Sequence, residues 1–292
     1  MQPVYLTGHQ RPVRQVLHNF DGDLLFTCSD DGTVCMYDTF QCVRNGIFDV
    51  SSAVKSIDVT KDSQYLLATA VDQGCYIYSV KDGQLLAKVI VPGIQATQVG
   101  LAFGDKEFFV MYQHEKKSCI RIFDLANCLK CGIPSEEAKG ENTPKVKHQI
   151  IGSSDYEFTS CVWGPLNKCL YVSTHQGKVF QIDVASGKIS REKQVHKSEI
   201  FRLHISHDYA MLMSCSRDGS AKLLNPETFE EVRNFSYKKP VRGVAISPLF
   251  DDPEHQKFHT IICGGQDARE VAMTGAEEGG FEMKLYSIIF NQ

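Results

Sequence analysis

The chain runs to 292 residues, 42% hydrophobic and 23% charged, which supplies a substantial core and excludes a disordered polymer. Its 31 basic and 35 acidic side chains leave a net charge of −4, without the basic excess of a dedicated nucleic-acid reader. No run approaches the ~18 apolar residues of a membrane helix, and Met1-Gln2-Pro3-Val4 lacks the layout of a signal peptide, so a soluble cytosolic or nuclear protein is expected.

Eleven cysteines are scattered through the sequence, often inside apolar runs such as Leu24-Leu25-Phe26-Thr27-Cys28. They read as reduced core residues rather than a disulfide framework, because a free thiol packs as a small hydrophobe.

The first strand-like runs are Val13 to Leu17 and Leu24 to Cys28, joined by Asn19-Phe20-Asp21-Gly22-Asp23, a sequence that favours a turn. Next comes a polar tight turn running into a third strand, Ser29-Asp30-Asp31-Gly32-Thr33-Val34-Cys35-Met36-Tyr37-Asp38. The same form returns from Ala70 to Ser79, from Glu115 to Asp124, from Thr174 to Asp183, from Ser216 to Asn225 and from Phe281 to Ser287. The closing residues of these six copies stand 41, 45, 59, 42 and 62 apart, so the two long intervals carry insertions.

After each copy a further turn, such as Val80-Lys81-Asp82-Gly83-Gln84 or Val184-Ala185-Ser186-Gly187-Lys188, leads to a fourth short strand. No window longer than about ten residues sustains the apolar spacing of a helix, so helices should be scarce. One four-stranded unit cannot bury both faces of its sheet, whereas several stacked around an axis can. The expectation is an all-β fold, a β-propeller of six recognisable four-stranded units forming one domain over residues 1–292. Residues 126–148, rich in Lys, Glu, Pro and Gly, are expected to be a flexible insertion.

Motifs for catalysis are thinly represented. Ser186-Gly187-Lys188-Ile189 is a hairpin turn rather than a phosphate loop, and neither a Gly-x-Ser-x-Gly elbow nor a His-Glu-x-x-His helix occurs. Cys128-Leu129-Lys130-Cys131 has the spacing of half a zinc site, with Cys119 and His148 the nearest completing residues, but a single pair reads better as two loop thiols. His204 and His207, on a strand and the turn after it, point to different environments and read as surface or hydrogen-bonded histidines. The carboxylate pairs Asp30-Asp31, Asp251-Asp252 and Glu277-Glu278 sit in turns, where solvated charge is the default. Phe103, Phe108, Phe109, Tyr112, Phe201, Phe235 and Phe281 are placed at strand positions, mainly as core. No catalytic residue, metal site or cofactor is expected.

The Gly8-His9 pair and the turn residue Asp31 resemble the WD-repeat family, in which a His, a turn Asp and a strand hydroxyl form a buried link within a blade; His196 and Asp218 repeat the pair in the fifth unit. The resemblance implies a structural hydrogen-bond link at His9, Asp31, His196 and Asp218. Of the terminal Trp-Asp pair only the Asp survives, at Asp38, Asp124 and Asp183, while Tyr37, Tyr78, Phe123, Ile182, Leu224 and Tyr286 hold the large-residue position.

Thr159-Ser160-Cys161-Val162-Trp163-Gly164-Pro165-Leu166 and Gly264-Gly265-Gln266-Asp267-Ala268 narrow the likeness to the propellers that serve as subunit i of eukaryotic translation initiation factor three. The resemblance implies a scaffold with subunits b and g as partners, the small ribosomal subunit reached indirectly, and a cytoplasmic location. Arg217 and Asp218, in the best-formed turn, are the candidate partner-contacting residues. That family has seven blades, an N-terminal strand completing the last; here the seventh unit is missing. Either a gap is left, favouring self-association or a partner, or Val4-Tyr5-Leu6 joins the sixth unit. A WD-repeat scaffold of a signalling or receptor-associated complex is the alternative.

Overall fold

A computed structural model describes residues 4–134, 143–247, 259–266 and 281–288. The chain divides into two compact units, Met1–Ser154 and Asp155–Gln292, each built from three antiparallel sheets. The six sheets are the blades of a β-propeller fold, with their strands in simple sequential order.

In the first unit, blade 1 comprises β1 (Val13–His18), β2 (Leu24–Ser29), β3 (Thr33–Asp38) and β4 (Arg44–Asp49). Blade 2 comprises β5 (Val54–Val59), β6 (Tyr65–Ala70), β7 (Gly74–Ser79) and β8 (Leu85–Ile90). Blade 3 comprises β9 (Gln95–Leu101), β10 (Glu107–His114), β11 (Lys117–Asp124) and β12 (Val146–Ile151), with the helix α1 (Leu125–Cys131) between its last two strands.

The second unit holds blade 4, with β13 (Phe158–Trp163), β14 (Cys169–Thr174), β15 (Lys178–Asp183) and β16 (Ile189–Gln194). Blade 5 has β17 (Ile200–Ile205), β18 (Leu212–Ser216), β19 (Ser220–Leu224) and β20 (Glu231–Ser236). Blade 6 has three strands among the described residues, β21 (Val241–Ile246), β22 (His259–Gly264) and β23 (Glu282–Ser287), where four were expected. The run 289–292 lies outside the described residues. Val4, Tyr5 and Leu6, one candidate closing strand, are irregular and exposed.

The strict two-residue alternation of strands explains why the middle strands read as unbroken apolar runs. Along β6, Leu66 and Ala68 pack into the core shared with blade 1, while Leu67 packs into the core shared with blade 3. On β7, Tyr76 and Tyr78 face the first of these cores, and Cys75 and Ile77 face the second. In the second unit, Leu212 and Leu224 face blade 4, whereas Met213 and Leu223 face blade 6. The large-residue positions Tyr37, Tyr78, Phe123, Ile182 and Leu224 are all at most 3% exposed, so the missing Trp is replaced by other core fillers. The outer strand of blade 4 is polar: every residue of β16 is exposed, and charge along that edge discourages pairing with foreign strands.

The closing residue of the third strand has a local task. Asp38 Oδ1 accepts the Phe40 and Gln41 amides at 2.9 and 2.6 Å, Asp183 Oδ1 accepts Ser186 N at 2.8 Å, and Asn225 Oδ1 accepts Glu227 N at 2.8 Å. Each side chain holds the following turn shut. Asp124 does the same to Asn127 N at 2.7 Å, and there the cap nucleates α1. This corrects the reading of the Cys128/Cys131 pair as loop thiols: both lie on a helix inside the expected 126–148 insertion, of which 135–142 fall outside the described residues.

Neighbouring blades are joined by a recurring bond that no motif announces. Gln15 Oε1 on β1 accepts Ile57 N of β5 at 3.2 Å, and Asp58 Oδ2 on β5 accepts Leu101 N of β9 at 2.7 Å. In the second unit, Ser160 Oγ on β13 accepts Leu203 N of β17 at 3.2 Å, and His204 Nδ1 on β17 accepts Ile246 N at 3.3 Å. A first-strand side chain thus satisfies the first strand of the next blade.

Two of these acceptors titrate in opposite senses. Burial pushes the Asp58 pKa up to about 6 against its two amide hydrogen bonds, with the Asp105 carboxylate adding to the rise. Burial pulls the His204 pKa down to about 4, helped by Arg202. Folded Asp58 holds its proton better than the unfolded side chain, so acidification from pH 6 towards 3.8 favours its folded joint. Folded His204 resists protonation, so its contribution is complete above pH 6.5 and is lost as pH falls towards 4. Denaturant midpoints at pH 7 and pH 4.5 should show His204→Gln less acid-sensitive, and Asp58→Asn more acid-sensitive, than the parent chain. A shared response of both variants would contradict this assignment.

Candidate functional site

Two blades carry the same four-residue tether. In blade 1, His9 Nδ1 stands 2.9 Å from Asp31 Oδ2, and His9 Nε2 stands 2.8 Å from Thr27 Oγ1 on β2. Asp31 also accepts the Gln10 amide at 3.0 Å, the Thr33 amide at 3.0 Å and the Thr33 hydroxyl at 2.7 Å. Burial alone would raise the Asp31 pKa, but the Thr33, Gln10 and His9 hydrogen bonds hold it well below the usual carboxylate range.

Blade 5 repeats the arrangement. His196 Nδ1 lies 3.1 Å from Asp218 Oδ2, and Nε2 lies 2.8 Å from Ser214 Oγ. Asp218 accepts Lys197 N at 3.0 Å, Ser220 N at 3.0 Å and Ser220 Oγ at 2.6 Å. The His196 side chain has no exposed surface, and burial lowers its pKa despite the adjacent carboxylate. Asp218 is lowered because the Ser220, Lys197 and His196 bonds outweigh its burial. A neutral imidazole therefore donates Nδ1–H to an ionised Asp218 and accepts the Ser214 hydroxyl on Nε2. Each tether closes the entry to the first strand onto the turn between the second and third.

Blade 2 solves the same problem differently. Tyr76 donates its hydroxyl to Asp72, while Lys88 Nζ reaches Asp72 at 3.1 Å and the Tyr76 oxygen at 2.7 Å.

Arg217 and Asp218 sit side by side in one turn with different engagements. The Asp218 carboxylate is taken up inside the blade. The Arg217 guanidinium is 47% exposed and lies 3.9 Å from Glu199, which also stands 3.7 Å from His175 Nε2. A surface triad of Arg217, Glu199 and His175 results, spanning blades 4 and 5. Sequence reading missed Glu199 and His175 because the contact joins two loops with no shared motif. In blade 1 the corresponding turn position has the reversed charge: Asp30 pairs with Arg14 and, at 3.1 Å, with Lys55 of blade 2.

The remaining predicted residues disperse. Cys128 is fully buried and its thiol is pushed up to about 12 by burial, with Cys131 and Asp124 adding. Among the described residues no three His, Cys, Asp or Glu side chains gather as metal ligands, and no helix is long and apolar enough to cross a membrane. Phe108, Phe109 and Tyr112 are buried, but Phe103 is 62% exposed in the turn after β9, not on a strand, and Phe281 is 64% exposed just before β23. The pairs Asp251-Asp252 and Glu277-Glu278, like Asp267 and Ala268, lie outside the described residues.

Comparison with known proteins agrees with the architecture. Residues 2–38 match the WD domain, G-beta repeat family, and residues 156–275 match the Vps42 beta-propeller family. Over its whole length the chain is 29% identical to eukaryotic translation initiation factor 3 subunit I of Homo sapiens, covering 85% of that protein. The same protein of Mus musculus is 29% identical over 297 residues, and that of Xenopus tropicalis is 29% identical over 293, again with the whole chain and 85% of the relative covered.

Proposed function

We propose, from the premise that the chain is a WD-repeat β-propeller, that it is a non-catalytic scaffold subunit of translation initiation factor 3. In this reading residues 1–292 act as one domain in the cytoplasm, holding other subunits while the small-subunit preinitiation complex assembles. The observation that carries it is likeness to subunit I along the entire chain, accompanied by tethered turns that hold surface residues in fixed positions.

Subunits b and g of the same factor are the partners assigned in this reading, with the small ribosomal subunit reached through them. The scaffold works by presentation. Packed blades lock the turns, so a partner meets a pre-ordered surface and loses little loop entropy on binding. Arg217 is the residue proposed to meet one, since Asp218 is occupied within the blade and Arg217 projects outward.

Affinity capture of the tagged chain from a eukaryotic lysate, read by mass spectrometry, should recover initiation-factor subunits in near-stoichiometric amounts. Recovery of a signalling complex instead would replace this reading with the alternative one. Arg217→Glu should reduce recovery of one subunit about tenfold, the size expected when a contacting charge is reversed at an interface. Arg217→Gln serves as the fold-preserving check, and unchanged recovery with both variants would remove Arg217 from the interface.

A further inference from the structure

A concavity of about 350 Å³ lies beside α1, lined by Asp124, Ala126, Asn127, Lys130, Lys145 and Lys147. Its two walls have separate origins. Ala126 and Lys130 are one helical turn apart and share a side of α1 with Asn127, while Lys147 lies on β12 and Lys145 immediately precedes that strand. Asn127 Oδ1 accepts Lys145 N at 3.0 Å and ties the walls together. The helix itself is anchored by the Asp124 cap and by Leu125 and Cys128, both buried.

The charges in this concavity do not cancel. Lys147 is paired with Glu107. Lys130 and Lys145 have no ion-pair partner among the described residues, and both are exposed. Lys130 has a structural explanation in the last turn of α1, where a cation meets the helix C-terminus. Lys145 has none. With its oxygen engaged by Lys145 N, the Asn127 side chain retains its NH2 group as donor.

We propose that this concavity receives an acidic peptide segment of a partner protein, its carboxylates bound by Lys130, Lys145 and the Asn127 amide. Charge complementarity argues for this occupant, and two features separate it from nucleic acid. The cations are confined to one depression rather than forming a stripe that tracks a phosphate backbone. No aromatic side chain lines the depression to stack a base. The concavity belongs to the first compact unit and the Arg217 turn to the second.

The test is fluorescence anisotropy with the full chain and a fluorescein-labelled ten-residue peptide alternating glutamate and leucine. Saturable binding is expected, weaker at high salt, with affinity reduced at least about tenfold in Lys130→Glu/Lys145→Glu and within about twofold of the parent in Lys81→Glu. If the reversal variant fails to fold, Lys130→Gln/Lys145→Gln should give an intermediate loss. Equal affinity in the parent and the lysine variants, or no saturable binding at about millimolar protein, overturns the proposal. A ten-nucleotide oligouridylate that binds more tightly through the same two lysines overturns the peptide assignment.

Discussion

Gly177→Ala is expected to cost about 3 kcal/mol of stability, well beyond an ordinary turn substitution. Gly177 has φ of +82° in the turn between β14 and β15, where an L side chain costs about 1 kcal/mol on conformation alone. The larger part is steric. A Cβ there would lie 2.3 Å from His196 O and 2.7 Å from Ser198 O, both backbone atoms of the loop entering blade 5. That loop cannot recede freely, because Gly177 O accepts Val195 N and His196 N, each at 3.0 Å. Relieving the clash therefore breaks the bonds that seat one blade's entry on its neighbour's turn. Gly83→Ala is the reference: φ is +67° and nothing lies within 4 Å of the added atom, so only the conformational cost of about 1 kcal/mol applies. Chemical denaturation of both variants tests the argument, and equal losses would show that loop seating contributes nothing.

His196→Ala is expected to cost about 3 kcal/mol, because truncation removes three contacts and strands what it leaves behind. The Asp218 carboxylate loses the Nδ1 proton, and the buried Ser214 hydroxyl loses its closer partner and keeps only the Lys222 carbonyl at 3.4 Å. A partly buried charge without its partner is costlier than a missing pair. His196→Ala combined with Asp218→Ala should consequently lose about 1 kcal/mol or more less than the sum of the two single changes. Additive losses would mean that the two side chains act independently. The acid response gives a second readout: the folded ring resists protonation, so the parent loses stability as pH falls below 6.5, and His196→Ala should lose less over that range.

What the sequence disclosed, and what it hid, follows from how each feature is encoded. The blades are legible because a polar turn followed by an alternating strand is a local pattern that recurs, and the packed positions Tyr37, Tyr78 and Phe123 repeat with it. His9 with Asp31 and His196 with Asp218 could be paired from residue types at matching places in two units. Helix α1 was invisible for the opposite reason. Seven residues are too few for a helical period to register, and its initiating residue, Asp124, is the same cap that elsewhere only closes a turn. Phe103 misled because it stands two residues past the end of a strand, beside aromatics that are core, and an apolar cluster carries no sign of where the chain reverses. The Arg217, Glu199 and His175 triad is assembled by neighbouring loops, so its composition emerges only when the blades are stacked.

The joints between first strands use an amide or a hydroxyl at one register position, and a carboxylate or an imidazole two residues further along, to meet a backbone N–H of the next first strand. What each of the two places demands is a lone pair held at a given height, and two kinds of side chain supply it at either one. Each blade is thereby released from matching its siblings letter for letter, and copies within one polypeptide can grow dissimilar while their mortar stays sound. Substitution tables that score identity would rate the two members of either pair as unrelated, yet exchanging one acceptor for the other within a pair is the gentlest change this architecture should admit.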